Sequence, residues 1–246
     1  MKIKIIEKKE KRVKFVFEGH ASYANALRRT CMSEIPIIAI DEVEIIKNDS
    51  AMYDEILAHR LGLIPLKTDL KLLKSKNPEV TLTLKAEGPG YVYSEQLKSR
   101  DPEVVPVYGK IPITYLNQGQ KIEVMCKAIF GTGKEHAKFS PCHVTYKSYP
   151  KIDILNQPKD GLTFVNICPK KVFSVENDTV IVKDLEKCDM CKLCEEKFPE
   201  IVKVGREKDK YIFDLESWGQ LEPEELIEKA KEIIINKTKE MAKEIK

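Results

Sequence analysis

The placement of its cysteines constrains this chain more than any other feature. Seven are present; Cys31, Cys126 and Cys142 stand apart, whereas Cys168, Cys188, Cys191 and Cys194 crowd together. The total is odd, and the start, MKIKIIEKKEKR, lacks the continuous apolar core and cleavage site of an export signal. Both points argue against a disulfide frame and for a reducing, cytoplasmic setting. Cys188-x2-Cys191-x2-Cys194 puts three thiolates on one tight turn, a spacing that reaches three corners of a compact iron–sulfur cubane. A fourth ligand has to come from elsewhere.

In two-cluster bacterial ferredoxins the run is C-x2-C-x2-C-x3-C-P, and the fourth cysteine of each motif ligates the other cluster. Here Phe198-Pro199 stands at the end of the run, so the proline is present and the cysteine is not. Cys168-Pro169 has the form of the fourth position of a preceding motif, whose other three places hold Pro158, Gly161 and Phe164. The expectation is one [4Fe–4S] cluster on Cys168, Cys188, Cys191 and Cys194, and no second one. Zinc sites of four thiolates usually come from two separate C-x2–4-C knuckles and match this run less well. A full set of four thiolates favours the cubane over a [3Fe–4S] cluster or a metal-free site. Cys31, Cys126 and Cys142 read as small buried hydrophobes.

Around this run the sequence has an α+β texture. Residues 2–7 and 12–18 alternate apolar and polar as two strands of a hairpin, and apolar residues at helical spacing over 22–33 stop before Pro36. Strand character returns at 37–46, a short helix is expected over 52–66 ending at Gly62, and further strands at 80–86, 91–93, 111–115, 121–130 and 143–154 make the middle mostly β. Residues 156–164 look like a loop; VFSVE and TVIVK flank an Asn177-Asp178 turn; and the charged GREKDK at 205–210 separates the cysteine module from a final strand. Pro223, Glu224 and Glu225 open a long last helix carrying one apolar stripe, Leu226, Ala230, Ile233, Ile234, Met241 and Ile245.

Charge excludes several function classes. Lys+Arg 42 against Asp+Glu 39 leaves only +3, so no overall positive field holds nucleic acid. The longest apolar stretches, such as IIAI at 37–40, are far shorter than the roughly 20 residues a membrane span needs. DEVE at 41–44 lies on an apparent strand where its carboxylates do not converge, and neither a phosphate-cradling Gly-rich loop nor an activated nucleophile is visible. No catalytic residue is assigned.

Several strings resemble the α-like family of multisubunit RNA polymerases, in its archaeal D-subunit form. They are NALRR at 25–29 with EIP at 34–36, HRLGLIPL at 59–66, LKAEGPGYVYSEQL at 84–97, KIPI at 110–113, GKEHAKFSP at 133–141 and FDLESWGQLEPEELI at 213–227, in family order along nearly the whole chain. The resemblance implies a discontinuous dimerisation domain of residues 1–45 and 209–246, a β-rich insert domain of 46–156 and an inserted ferredoxin-like domain of 157–208. It also implies a scaffold role within DNA-dependent RNA polymerase. The partners would be a small L-type subunit, the large catalytic subunits and other small assembly subunits, with DNA met only through the complex.

The long stripe on the last helix independently calls for a partner. Leu27, Cys31, Ala230, Ile233, Ile234 and Met241 are the expected seam. Arg28, Arg29 and Arg60 are candidates for docking a large subunit, since guanidinium forks suit carboxylates across an interface. The competing reading, from a different class, is an iron–sulfur electron-transfer protein or an oxidoreductase component with an added partner-binding domain.

Overall fold

Two apolar-alternating runs joined by a tight turn start the chain: β1 (Lys2–Lys9) and β2 (Arg12–Glu18) lie side by side in a sheet of four. In this computed structural model residues 2–74 and 78–245 are described; Met1 and Lys246, the outer limits of the expected dimerisation domain, fall outside them. The first helix, α1 (Ala21–Ser33), turns Ala24, Leu27 and Cys31 inward at the i, i+3, i+7 spacing of one face. Next come β3 (Ile37–Asn48), α2 (Asp54–Gly62), β4 (Val80–Glu87), β5 (Gly90–Tyr93), β6 (Lys98–Ser99), β7 (Pro112–Leu116), β8 (Lys121–Gly131) and β9 (Cys142–Ile154). The remainder is α3 (Gly161–Asn166), β10 (Phe173–Glu176), β11 (Thr179–Val182), α4 (Leu193–Lys197), β12 (Val202–Ser217) and α5 (Pro223–Glu244).

Two units emerge. One takes the described parts of Met1–Lys8, Val13–Asn25 and Thr145–Asp214; the other takes those of Lys9–Arg12, Ala26–Val144 and Leu215–Lys246. These lines differ from the three expected domains. The N-terminal strands fold with the cysteine segment because β12 and β9 complete their sheet, in the order β1-β2-β12-β9.

In the second unit β3, β8, β4 and β6 form an antiparallel sheet, with β3 running against β8 from Ile37↔Gly131 to Asn48↔Ile122. A boundary at 46 would cut this strand, so the insert starts earlier than expected. Ile38, Ile40, Leu57, Leu61, Leu84 and Val124 meet in the core between this sheet and α2. Each such side chain contributes about 1.5–3 kcal/mol on burial.

In the first unit Phe213 of β12 stacks on Phe15 of β2 at 5.0 Å and on Tyr146 of β9 at 5.2 Å. Such pairs rigidify the sheet beyond their area. The hairpin of β10 and β11 closes through Asn177 and Asp178, both left-handed (φ 49 and 56), as a two-residue turn requires.

Two loop expectations are corrected by the fold. Residues 161–166 form α3 rather than loop, because the Asp160 carboxylate accepts the Leu162 and Thr163 N–H groups, both at 3.1 Å. GREKDK does not break the last strand either. β12 runs through it, Lys210 sitting 3.9 Å over the Tyr149 ring while pairing with Glu207 at 2.8 Å. The charges occupy a face that the strand leaves in water.

Candidate functional site

The two cysteine segments approach each other over a small apolar core. Phe164 of α3, Val172, Phe173 of β10, Val180 of β11, Val202 and Val204 are buried there. The Phe164 ring lies 5.0 Å from that of Phe173 and 5.4 Å from that of Phe198. Phe164 and Phe198 are two of the places where a second cluster's cysteines would stand. They pack against each other instead.

On the other side of this core, Cys168, Cys188, Cys191 and Cys194 line one narrow cavity of about 20 Å³, with Ile152, Val172, Phe173 and Val204 among its apolar walls. Cys168 follows the last turn of α3, Cys188 closes the turn at 185–187, and Cys194 lies in α4. Between them Met190 and Lys192 adopt left-handed backbone (φ 55 and 63), which curls the run around the cavity. The Met190 N–H points at the Cys188 sulfur at 3.4 Å. Cys188 and Cys194 are buried and Cys191 is exposed.

Burial pushes the Cys188 and Cys194 thiols up, and neighbouring cysteine sulfurs add to the rise. Such a group favours soft metals that displace the thiol protons. As placed, no set of three or more His, Cys, Asp or Glu side chains among the described residues already forms a metal cage. The donor set nevertheless suits an iron–sulfur cubane in kind: four thiols, three from one loop and one from a separate segment, and an N–H directed at sulfur.

Charged residues frame the cysteine loop. Lys147 of β9 donates to the Cys188 carbonyl at 2.8 Å and pairs with Asp189 at 3.1 Å. Lys170 pairs with the other Asp189 oxygen at 3.0 Å. The hydrogen bond from Lys170 first, and that from Lys147 after it, hold the Asp189 carboxyl below the usual range. Lys170 and Asp189 had a signal in the sequence, standing beside cysteines of the set; Lys147, on a distant strand, had none.

The three scattered cysteines lie in the second unit, each almost fully covered. Burial raises the Cys31 and Cys126 thiols to about 12, and Cys142 is raised further. Cys142 directs its sulfur to the Cys31 carbonyl at 3.4 Å.

The expected partner seam divides. Leu27, Cys31 and Ala230 are enclosed by their own chain, so their assignment to the seam is corrected: helical periodicity tells that a face is buried, not which chain buries it. Ile233 and Ile234 are half-buried. Met241 is 62% exposed, and Ile235 and Ile245 are exposed too; of these Ile235 had no place in the expected stripe. Arg28 is half-buried and approaches the Met32 sulfur at 3.7 Å, while Arg29 is exposed. Arg60 donates to the Pro112 carbonyl and edges an apolar groove with Leu63, Ile64, Ile111 and Ile113.

No described helix is long and apolar enough to cross a membrane. Residues 38–142 match the RNA polymerase Rpb3/RpoA insert domain. The chain is similar over its length to proteins named DNA-directed RNA polymerase subunit Rpo3. The one from Methanosphaera stadtmanae is 41% identical, covering 96% of both chains. That from Pyrococcus furiosus is 40% identical over 100% of this chain and 97% of its own. That from Archaeoglobus fulgidus is 36% identical over 98% and 96%.

Proposed function

On the premise that this chain belongs to the Rpo3 family of DNA-directed RNA polymerase subunits, we propose that it is the assembly scaffold of its polymerase, pairing with a small L-type subunit before the large catalytic subunits dock. It is a non-catalytic subunit of a multisubunit enzyme and partners other polymerase subunits. The observation that carries this is end-to-end similarity at about 40% identity, which includes the insert domain at its expected place. An electron carrier with a partner-binding domain is not favoured, because the likeness extends far beyond the cysteine segment.

In this reading the exposed end of α5, with Ile235, Met241 and Ile245, supplies apolar surface for the small subunit, joined by the half-covered Ile233 and Ile234. Arg28, Arg29 and Arg60 face a large subunit, Arg60 from the rim of its apolar groove. The protein works in the cytoplasm, and contact with DNA passes through the complex.

Cys168, Cys188, Cys191 and Cys194 hold one [4Fe–4S] cluster. Bound there, it supplies a covalent staple between two chain segments and a one-electron couple. Structural stapling fits the small apolar core around Phe164, which is slight for a separately folding module.

The test is to tag the full chain in its native cells, purify it anaerobically, identify what accompanies it and assay RNA synthesis on a DNA template. Recovery of the polymerase subunits with template-dependent synthesis supports the scaffold role. Recovery of redox enzymes without polymerase subunits overturns it.

A further inference from the structure

The ligands proposed above come from two segments separated in sequence, and such a site needs both held in register before metal arrives. One carboxylate does this in the structure. Asp189, between Cys188 and Met190, receives Lys170, two residues past Cys168, on one oxygen and Lys147 of β9 on the other. Lys147 also donates to the carbonyl of Cys188 itself. The same strand sends Ile152 into the wall of the cysteine cavity. Thus β9 touches the ligand region once through an apolar wall and once through an ammonium hook.

We propose that Lys147 is a positioning residue for the cysteine loop, latching Cys188 to the sheet through its carbonyl and through Asp189, while Lys170 fastens the Cys168 segment to the same carboxylate. The inference rests on the cluster reading. Its consequence is specific: the sheet that carries the N-terminal strands and the metal loop are mechanically joined at one side chain. All three charged groups are partly open to water, and such pairs add little to global stability. The latch therefore acts on the lifetime and geometry of the bound cluster, not on whether the chain folds.

The experiment uses the full-length protein, reconstituted anaerobically with iron and sulfide. The wild type is compared with Lys147→Gln, Asp189→Asn, their double variant and Lys147→Arg. Iron and sulfide per chain, decay of the charge-transfer absorbance under a ferrous chelator, and the electron paramagnetic resonance signal after dithionite reduction are read for each. Melting of the cluster-free forms is the control for folding.

Lys147→Gln and Asp189→Asn should each lose the cluster several-fold faster and show altered resonance. The double variant should lose it no faster than the worse single one, and Lys147→Arg should restore most of the lifetime. The cluster-free melting temperatures should coincide. Wild-type lifetime and signal in every variant, with a stable cluster in the wild type, would overturn the latch alone. Multiplying effects in the double variant would overturn the shared network. If no form, wild type included, takes up iron and sulfide, the cluster reading fails and the latch falls with it.

Discussion

Lys237 in α5 and Glu34, just past the end of α1, form a salt bridge across 203 residues of sequence. Lys134 grips the same carboxylate at 2.8 Å. One acidic side chain thus ties the last helix and the segment at 134 to the end of the first helix. Burial of Glu34 opposes its ionisation, but hydrogen bonds from Lys134 and Lys237 prevail and hold its carboxyl below the usual range.

The sign of the pH dependence follows. A carboxylate with a depressed folded-state pKa adds stability above its unfolded value of about 4.3, and that stability fades as pH falls through the lower folded-state value. Glu34→Gln should melt a few degrees below the wild type at pH 7, with the gap closing in acid. Differential scanning calorimetry across pH checks this, and high salt should shrink the gap, since both lysines are largely exposed.

Leu226 and Met241 lie on the same helix but have opposite surroundings, the first fully buried and the second 62% exposed. Leu226→Ala should cost about 2–5 kcal/mol in chemical denaturation of the isolated chain, the usual range for a core leucine. Met241→Ala should leave that curve unchanged and weaken pairing with the small subunit, measured by calorimetric titration.

Phe164 and Phe198 stand where a second set of ligands would be and fill the space with packed rings. Phe164→Ala should cost about 3–5 kcal/mol locally. Hydrogen exchange should then rise across 161–204 while the sheet of β3, β8 and β4 keeps its protection.

Thiol chemistry should separate the seven cysteines. Cys31 and Cys126, with thiols raised to about 12, and the buried Cys142 remain protonated at pH 8 and shielded from reagent. In cluster-free native protein the exposed Cys191 should react fast with an aromatic disulfide reagent, whereas those three should react only on unfolding. Mass spectrometry of labelled peptides assigns each.

Cys188→Ser and Cys191→Ser should abolish the iron–sulfur absorbance yet leave pairing with the small subunit intact, because the exposed apolar residues of α5 lie outside the cysteine segment. Loss of pairing in both would contradict that separation.

Much of the fold was legible because local pattern and tertiary outcome agree. The helix over 22–33, the stop at Gly62 and the Asn177-Asp178 turn are each set by neighbours in sequence. The errors came where distant groups decide. GREKDK continues a strand because β12 has partners on both sides, and α3 exists because one aspartate caps six residues too few to show a period. For the site, cysteine spacing marked the four candidates that line one cavity, but the lysine from β9 beside them is a product of topology. For the interface, the stripe on α5 marked burial correctly at Leu226 and Ala230 without revealing that this chain covers them itself.

The most direct measurement is of mass in solution: the chain co-expressed with the small L-type subunit of the same cells and examined by size-exclusion chromatography with light scattering. A stable one-to-one complex, weakened by Met241→Asp, is the expected result. Two separate species at micromolar concentration, with this chain monomeric beside an intact small subunit, would contradict the account.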